Sequence, residues 1–448
     1  MTLFSNRSAL LNNYFSYLLA FLPVSFIAGN LIINLNIVIL IISAIFLFGK
    51  DIFSLKYYFL DKILVSFFFL ILITGFYNDV LIGIDYRDFS DSRGYFYTTI
   101  KSILFLKYLL MYLIIKFLIE KEIINLKFFF ISSTFASIFV CSDVIFQFIS
   151  GKDVFGFEAN MSTRKLGGPF GDELIAGSYI QRFSLFTFFT LPLFFKNNLN
   201  KFSYYFIPIL LIIILTGLIL SGNRMPIILF LFILSLIVIF HRQTRKFILP
   251  FLLLISLIFF LSFKFNENVK NNFINFYKQV SSMTEVLKSY ISDQSDPLQI
   301  ESFKYYKEFQ SFYGPWSSNK LIGGGIKNFR FYCHNEDYEI NKTGFVCNMH
   351  PHNYYLEILT ETGLIGFLII SIVFLQALYY SFFKKYFTNS NIQIDNLIIP
   401  FIFLFIAEIF PLKSTGSFFT TGNATYLFLI LPIIIGLVRK DISIEKKI

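Results

Sequence analysis

Long apolar runs separated by short polar segments dominate the chain. Twelve blocks of roughly 15 to 25 apolar residues centre near Leu19, Val38, Leu70, Leu110, Ile138, Phe188, Ile212, Phe232, Ile255, Ile369, Phe403 and Leu429. About 20 apolar residues of α-helix cross a hydrocarbon layer about 30 Å thick, so each block is long enough to span one. The blocks do not alternate apolar and polar residues over about ten positions, as strands of a membrane barrel would. The pattern predicts an all-α, polytopic transmembrane helical bundle of about 12 spans.

Two connections are much longer than the rest. Residues 150–182 include GKDVFGFEANMSTRKLGGPFGDELIAGSYIQR. Residues 264–352 form a large loop between spans 9 and 10. In that loop Phe273, Phe276, Tyr277 and Val280, and later Phe303, Tyr306 and Phe309, recur at helical spacing. They predict amphipathic helices lying over the mouth of the bundle. The glycines at Gly323–Gly325 are expected to end that helical part. The organisation is then 1–263 for spans 1–9 with the 150–182 loop, 264–352 for the large loop, 353–438 for spans 10–12 and 439–448 for a tail.

Composition agrees with this reading. Apolar residues make up 56 % of the chain and charged residues 15 %, against about 25 % charged in soluble domains. The formal net charge of +10 could suggest nucleic acid until the charges are placed. With the amino terminus cytoplasmic, 18 of the 38 cations fall in cytoplasmic segments and nine in short outer ones. Lys107 lies inside a span, and the remaining ten cations lie in the large loop, where nine anions balance them. The two-to-one bias over short segments is the positive-inside pattern. The charge is therefore topological, no nucleic-acid partner is expected, and both termini are expected to be cytoplasmic. The opening MTLFSNRSALLNNYF carries no small-residue cleavage pattern, so the first block is expected to remain as a span.

Candidate chemistry gathers on the outer side, in GGPFGDE, SGNR, GGGIKNFRFYC and MHPHNYYLEILTETGLIGF. Arg224 stands between two apolar runs, with Pro226 suited to a first helical turn. It reads either as an interfacial anchor or as an anion clamp, since guanidinium offers a planar, permanent fork for phosphate oxygens. His334, His350 and His352 lie within 19 residues of one another, whereas His241 belongs to a basic cytoplasmic segment. His352, beside Asn353 and just before span 10, reads as a helix-start histidine or as a base for a sugar hydroxyl near neutral pH. Cys333 and Cys347 share the large loop, where an oxidising compartment would allow a disulfide worth about 3 kcal/mol. Cys141, within a span, reads as a packing residue. The Cys and His spacing matches no familiar zinc pattern, and no metal or other cofactor is expected. Asp143, Gln147 and Glu408 fall inside spans, where ionisable groups are candidates for ion pathways. Lys413, five residues after Glu408, offers a structural ion pair instead.

At HPHNYYLEILTETGLIGF the chain resembles the O-antigen ligase and polymerase superfamily of bacterial inner-membrane glycosyltransferases. RKLGGPFGDELIAGSYI, SGNR and LIGGGIKNFR follow the superfamily order, and the large penultimate outer loop also fits. The resemblance implies metal-independent, inverting transfer of an undecaprenyl-pyrophosphate-linked glycan to an acceptor hydroxyl at the periplasmic face. The acceptor would be the lipid A core for a ligase, or another lipid-linked repeat unit for a polymerase. It further implies that Arg224 holds the pyrophosphate, that His352 activates the acceptor and that His350 orients it. A second phosphate-binding arginine is expected. The helical part of the large loop offers only Lys304 and Lys307, so Arg330 and Arg164 are the alternatives. Two readings of other classes stand beside this one, a secondary transporter or flippase built on Asp143 and Glu408, and a scaffold for a polysaccharide complex.

Overall fold

The computed structural model describes residues 2–82, 96–159, 165–194, 199–241, 312–331, 349–387, 396–414 and 416–445, with scattered positions between 245 and 281. Its principal helices are α1 (Thr2–Ala28), α2 (Asn30–Phe48), α3 (Phe59–Phe76), α4 (Tyr97–Phe105), α5 (Lys107–Glu120), α6 (Leu126–Ser150) and α7 (Ala176–Phe183). There follow α8 (Leu185–Phe194), α9 (Leu199–Leu220), α10 (Arg224–Phe240), α11 (Tyr354–Leu378), α12 (Ile399–Glu408) and α13 (Thr421–Glu445). Among the described residues, seven helical segments are long and apolar enough to cross a membrane. Three shorter apolar helices, Ile207–Leu220, Arg224–Phe240 and Ile399–Glu408, accompany them. The chain is an all-helical, multi-pass membrane protein. Helices stand at eleven of the twelve centres read from the sequence, and Ile255 lies outside the described residues.

Burial explains the composition. On α2 the residues Ile33, Ile37, Leu40 and Ala44 are buried, yet Leu31 is 70 % and Phe46 87 % exposed. A helix equally apolar on both faces fits a setting where hydrocarbon, not water, covers the outer one. α13 is the opposite case, with every residue from Ala424 to Leu431 at most 1 % exposed. Large rings fill the space around it: Phe428 meets Phe68 at 5.3 Å and Tyr108 at 5.8 Å between centroids. On its α5 side Gly436 permits close approach, because a Cβ there would meet Ile119.

The helix ends give the bundle its two functional levels. The far ends of α10 and of the span Tyr354–Phe387, which continues α11, meet where Phe240 packs on Phe382 and Tyr386. Their starts, with Arg224 and Tyr354, therefore belong to one end of the bundle. α13 runs from Asn423 at that end to Arg439 at the other, about 24 Å away at helical rise.

Candidate active site at one end of the bundle

A break in α11 organises the site. Gly363 has φ 66° and ψ −173°, which interrupts the helical hydrogen bonding. The segment Lys320–Gly325 takes up the freed backbone groups. Gly324 and Gly325 N–H donate to the carbonyls of Thr360 and Glu361, both at 2.8 Å. Leu364 and Ile365 N–H donate to Lys320 and Leu321, at 2.8 and 3.1 Å. A Cβ on Gly323 would strike the backbone of Thr362, and one on Gly363 would strike Leu321. Both glycines are needed because two backbones touch. The glycine segment is thus a docking strap as well as the expected turn. Thr74 Oγ1 and Asn78 Nδ2 fasten it to α3 through the carbonyls of Ile322 and Gly323, at 3.1 and 3.2 Å.

The strap carries Lys327 and Arg330 to the histidines. His350 and His352 lie with ring centroids 4.5 Å apart. Burial first, then His352, Lys327 and Arg330, push the pKa of His350 down to about 4, so its imidazole is neutral at pH 7. Its Nε2 is buried without a hydrogen-bond partner among the described residues. His352 holds a left-handed φ of 49°, uncommon for a residue with a side chain. The next residue, Asn353, caps α11 by accepting from Tyr355 and Leu356 N–H at 3.0 and 3.2 Å. Its amide also donates to the carbonyl of Pro411 at 2.7 Å. Lys327 Nζ donates to Ser417 Oγ at 2.9 Å, and Ser417 donates to buried Glu357 at 2.5 Å.

Beneath the histidine turn lies a charged cluster of which the sequence showed only the Glu408–Lys413 pair. Arg182, on α7, donates through Nε and Nη2 to the two carboxylate oxygens of Glu408, at 3.2 and 2.7 Å. Nη2 also donates to Asn423 Oδ1 at 2.6 Å, and the guanidinium lies 4.8 Å from the Tyr426 ring. Tyr354 OH donates to Glu408 at 2.6 Å, and Lys413 Nζ pairs with the same carboxylate at 2.7 Å. Burial lowers the Lys413 pKa to about 8, with Glu408 opposing that shift. The alternative of a Glu408–Lys413 ion pair is realised, with Arg182 as its third member. Arg182 carries the same sequence signal as Arg224, a lone cation at the start of an apolar run.

The four polar motifs meet in pairs. Leu166 N–H donates to Ser221 O at 3.4 Å, and Gly177 lies so close to the SGNR turn that a Cβ would meet Ser221 and Asn223. This joins the first two motifs, and the strap joins the last two. Arg182 links the pairs, since α7 continues from Gly177 to the Glu408 cluster. Arg224 is half-buried at the first position of α10, with Pro226 in its first turn as expected. Farther along α10, Phe232 packs on Phe410 at 5.3 Å, next to the Pro411 carbonyl that Asn353 holds. Asp143 accepts from Val154 N–H at 2.9 Å and Gln147 from Gly168 N–H at 2.9 Å, so both tie the 150–171 loop to α6. Arg164, His334, Cys333 and Cys347, with Lys304 and Lys307, lie outside the described residues.

Residues 209–371 match the family model described as O-antigen ligase. This segment is thus similar to the O-antigen ligase family. The match begins within α9, crosses the large loop and ends in α11, so the matched segment contains Arg224, Lys327, Arg330, His350 and His352. Arg182, Glu408 and Lys413 fall outside the matched residues. No curated protein matches the chain.

Proposed function

We propose that this protein is a membrane glycosyltransferase of the ligase type. It transfers a glycan from undecaprenyl pyrophosphate to a hydroxyl of the lipid A core at the periplasmic face of the bacterial inner membrane. The observation that carries this reading is the His350–His352 pair, held beside Lys327 and Arg330 inside the matched segment. A titratable base next to fixed cations suits a reaction that removes a proton and expels a diphosphate. The acceptor oxygen attacks the anomeric carbon from the face opposite the diphosphate. The carbon–oxygen bond to phosphate breaks with its electron pair leaving on undecaprenyl pyrophosphate, and configuration inverts. His352 takes the hydroxyl proton, while neutral His350 orients the acceptor. Arg224, with Arg330 or Arg164, binds the pyrophosphate, where preorganised cations stabilise the charge that develops on the leaving group.

The same chemistry with a lipid-linked repeat unit as acceptor is the polymerase reading. Against the transporter reading, Asp143 Oδ1 accepts from Val154 N–H and Glu408 pairs with Arg182 and Lys413. The test is transfer in vitro from an undecaprenyl-pyrophosphate-linked glycan to lipid A core, with chelator present. Product with the wild type, and none with His352→Ala or Arg224→Ala, is expected. Transfer only to a second lipid-linked repeat would establish the polymerase, and full activity in both variants would refute the site.

A further inference from the structure

A continuous set of polar contacts leaves α11 at its cap and returns to it one turn later. From the His352 turn, Asn353 holds the carbonyls of Pro411 and Lys413, at 2.7 and 3.5 Å. Lys413 and Tyr354 both engage Glu408, and Glu408 receives the fork of Arg182. Arg182 passes to Asn423 Oδ1, and Asn423 Nδ2 donates to the Ser417 carbonyl at 2.7 Å. Ser417 Oγ then meets both Lys327, beside His350, and Glu357, one turn into α11. The contacts from Arg182 to Glu357 join the end of α7, the stretch 408–423, Lys327 and the first turn of α11.

Within this set Arg182 has two separate duties. Its carboxylate contacts support the segment 408–413 that holds Asn353 and with it the left-handed His352. Its amide contact supports the 417–423 turn that holds Lys327 against His350. Lysine could serve one duty as a point charge but lacks the planar fork that serves both. We propose that Arg182 is the positioning residue of the transferase site. It sets His352 and Lys327 at once, through Glu408 and Asn423, without touching substrate. This inference rests on the transferase reading given above.

The test compares full-length wild type with Arg182→Lys and with Asn423→Ala, which cuts only the 417–423 branch and leaves the ion pair in place. Transfer is measured with varied donor and scaled to folded protein. In parallel, the rate at which diethyl pyrocarbonate modifies His352 is followed by mass spectrometry. For Arg182→Lys, kcat is expected to fall about tenfold with the donor KM unchanged, with faster modification of His352. For Asn423→Ala, kcat is expected to fall about fivefold with His352 modification near wild type. Unchanged kcat per folded molecule in both variants, with an unchanged modification rate, would overturn the proposal. So would a loss that merely tracks the amount folded. If Arg182→Lys does not fold, Asn423→Ala alone decides. If the wild type transfers no glycan, the transferase reading fails, and the modification rate in Arg182→Lys still decides whether Arg182 positions His352.

Discussion

The two ends of the bundle both bury charge, and they do so to opposite purpose. At the far end Asp61 forms ion pairs with Lys116 at 3.0 Å and Arg439 at 2.8 Å and accepts from the hydroxyl of Tyr112 at 2.7 Å. Arg439 also lies 3.5 Å from Glu120 and 4.2 Å from the Tyr58 ring. Two carboxylates meet two cations, and three helices, α3, α5 and α13, are locked together. At the histidine end Arg182, Lys413, Lys327 and Arg330 outnumber Glu408, Glu357 and Glu361, before Arg224 is added. There His350 Nε2 and Glu361 Oε2 are buried without partners among the described residues. Balanced buried charge suits a structural role, whereas a cationic surplus beside histidines suits the diphosphate ligand proposed above.

Breaking each end should separate those purposes. His352→Ala is expected to cut transfer by about 10²–10⁴-fold, and Arg224→Ala by about 10²–10³-fold, with thermal unfolding in detergent little changed. At the far end, Asp61→Ala strands Lys116 and Arg439 without their shared anion. It is expected to cost about 3–5 kcal/mol of stability while transfer per folded molecule stays at wild-type level. Loss of transfer in that variant without loss of stability would erase the distinction between the ends. Gly363→Ala forces a side chain into the strap and should cost about 1–3 kcal/mol. Because the strap carries Lys327 and Arg330, the same variant should also lower kcat, which measurement on the folded fraction checks.

The smallest effect concerns pH. Folded His350 takes a proton only near pH 4, whereas the unfolded chain takes one near about 6.5. Its contribution to stability is complete above about pH 6.5 and declines as pH falls toward 4. Melting temperature followed across that window should fall less steeply in His350→Gln than in the wild type. Parallel curves would place His350 in a more open setting.

Much of the architecture is legible in one dimension. Apolar block length is a local property, so helices appear at the centres read from the sequence wherever the chain is described. The Arg224 helix start and the Glu408–Lys413 pair were also readable, because each involves neighbours in sequence. The site was readable only in part. The motif HPHN singled out the histidines and LIGGGIKNFR contained Lys327, but nothing in the latter motif announced that glycines would dock on a broken helix. Asp143 and Gln147 looked like pathway residues because hydropathy ignores depth, whereas both lie near the helix end, where a loop can use them.

What the sequence by itself determined is the class of molecule: an all-helical membrane protein whose unusual polar residues cluster in a few motifs. Only the tertiary structure decided which charges pair. Arg182 meets Glu408 across 226 residues of chain, and Asp61 meets Arg439 with nearly the whole protein between them. Spans follow from the free energy of burying contiguous side chains, which is additive along the chain. Charge pairing depends on distances across helices, and those distances exist only after the helices have packed.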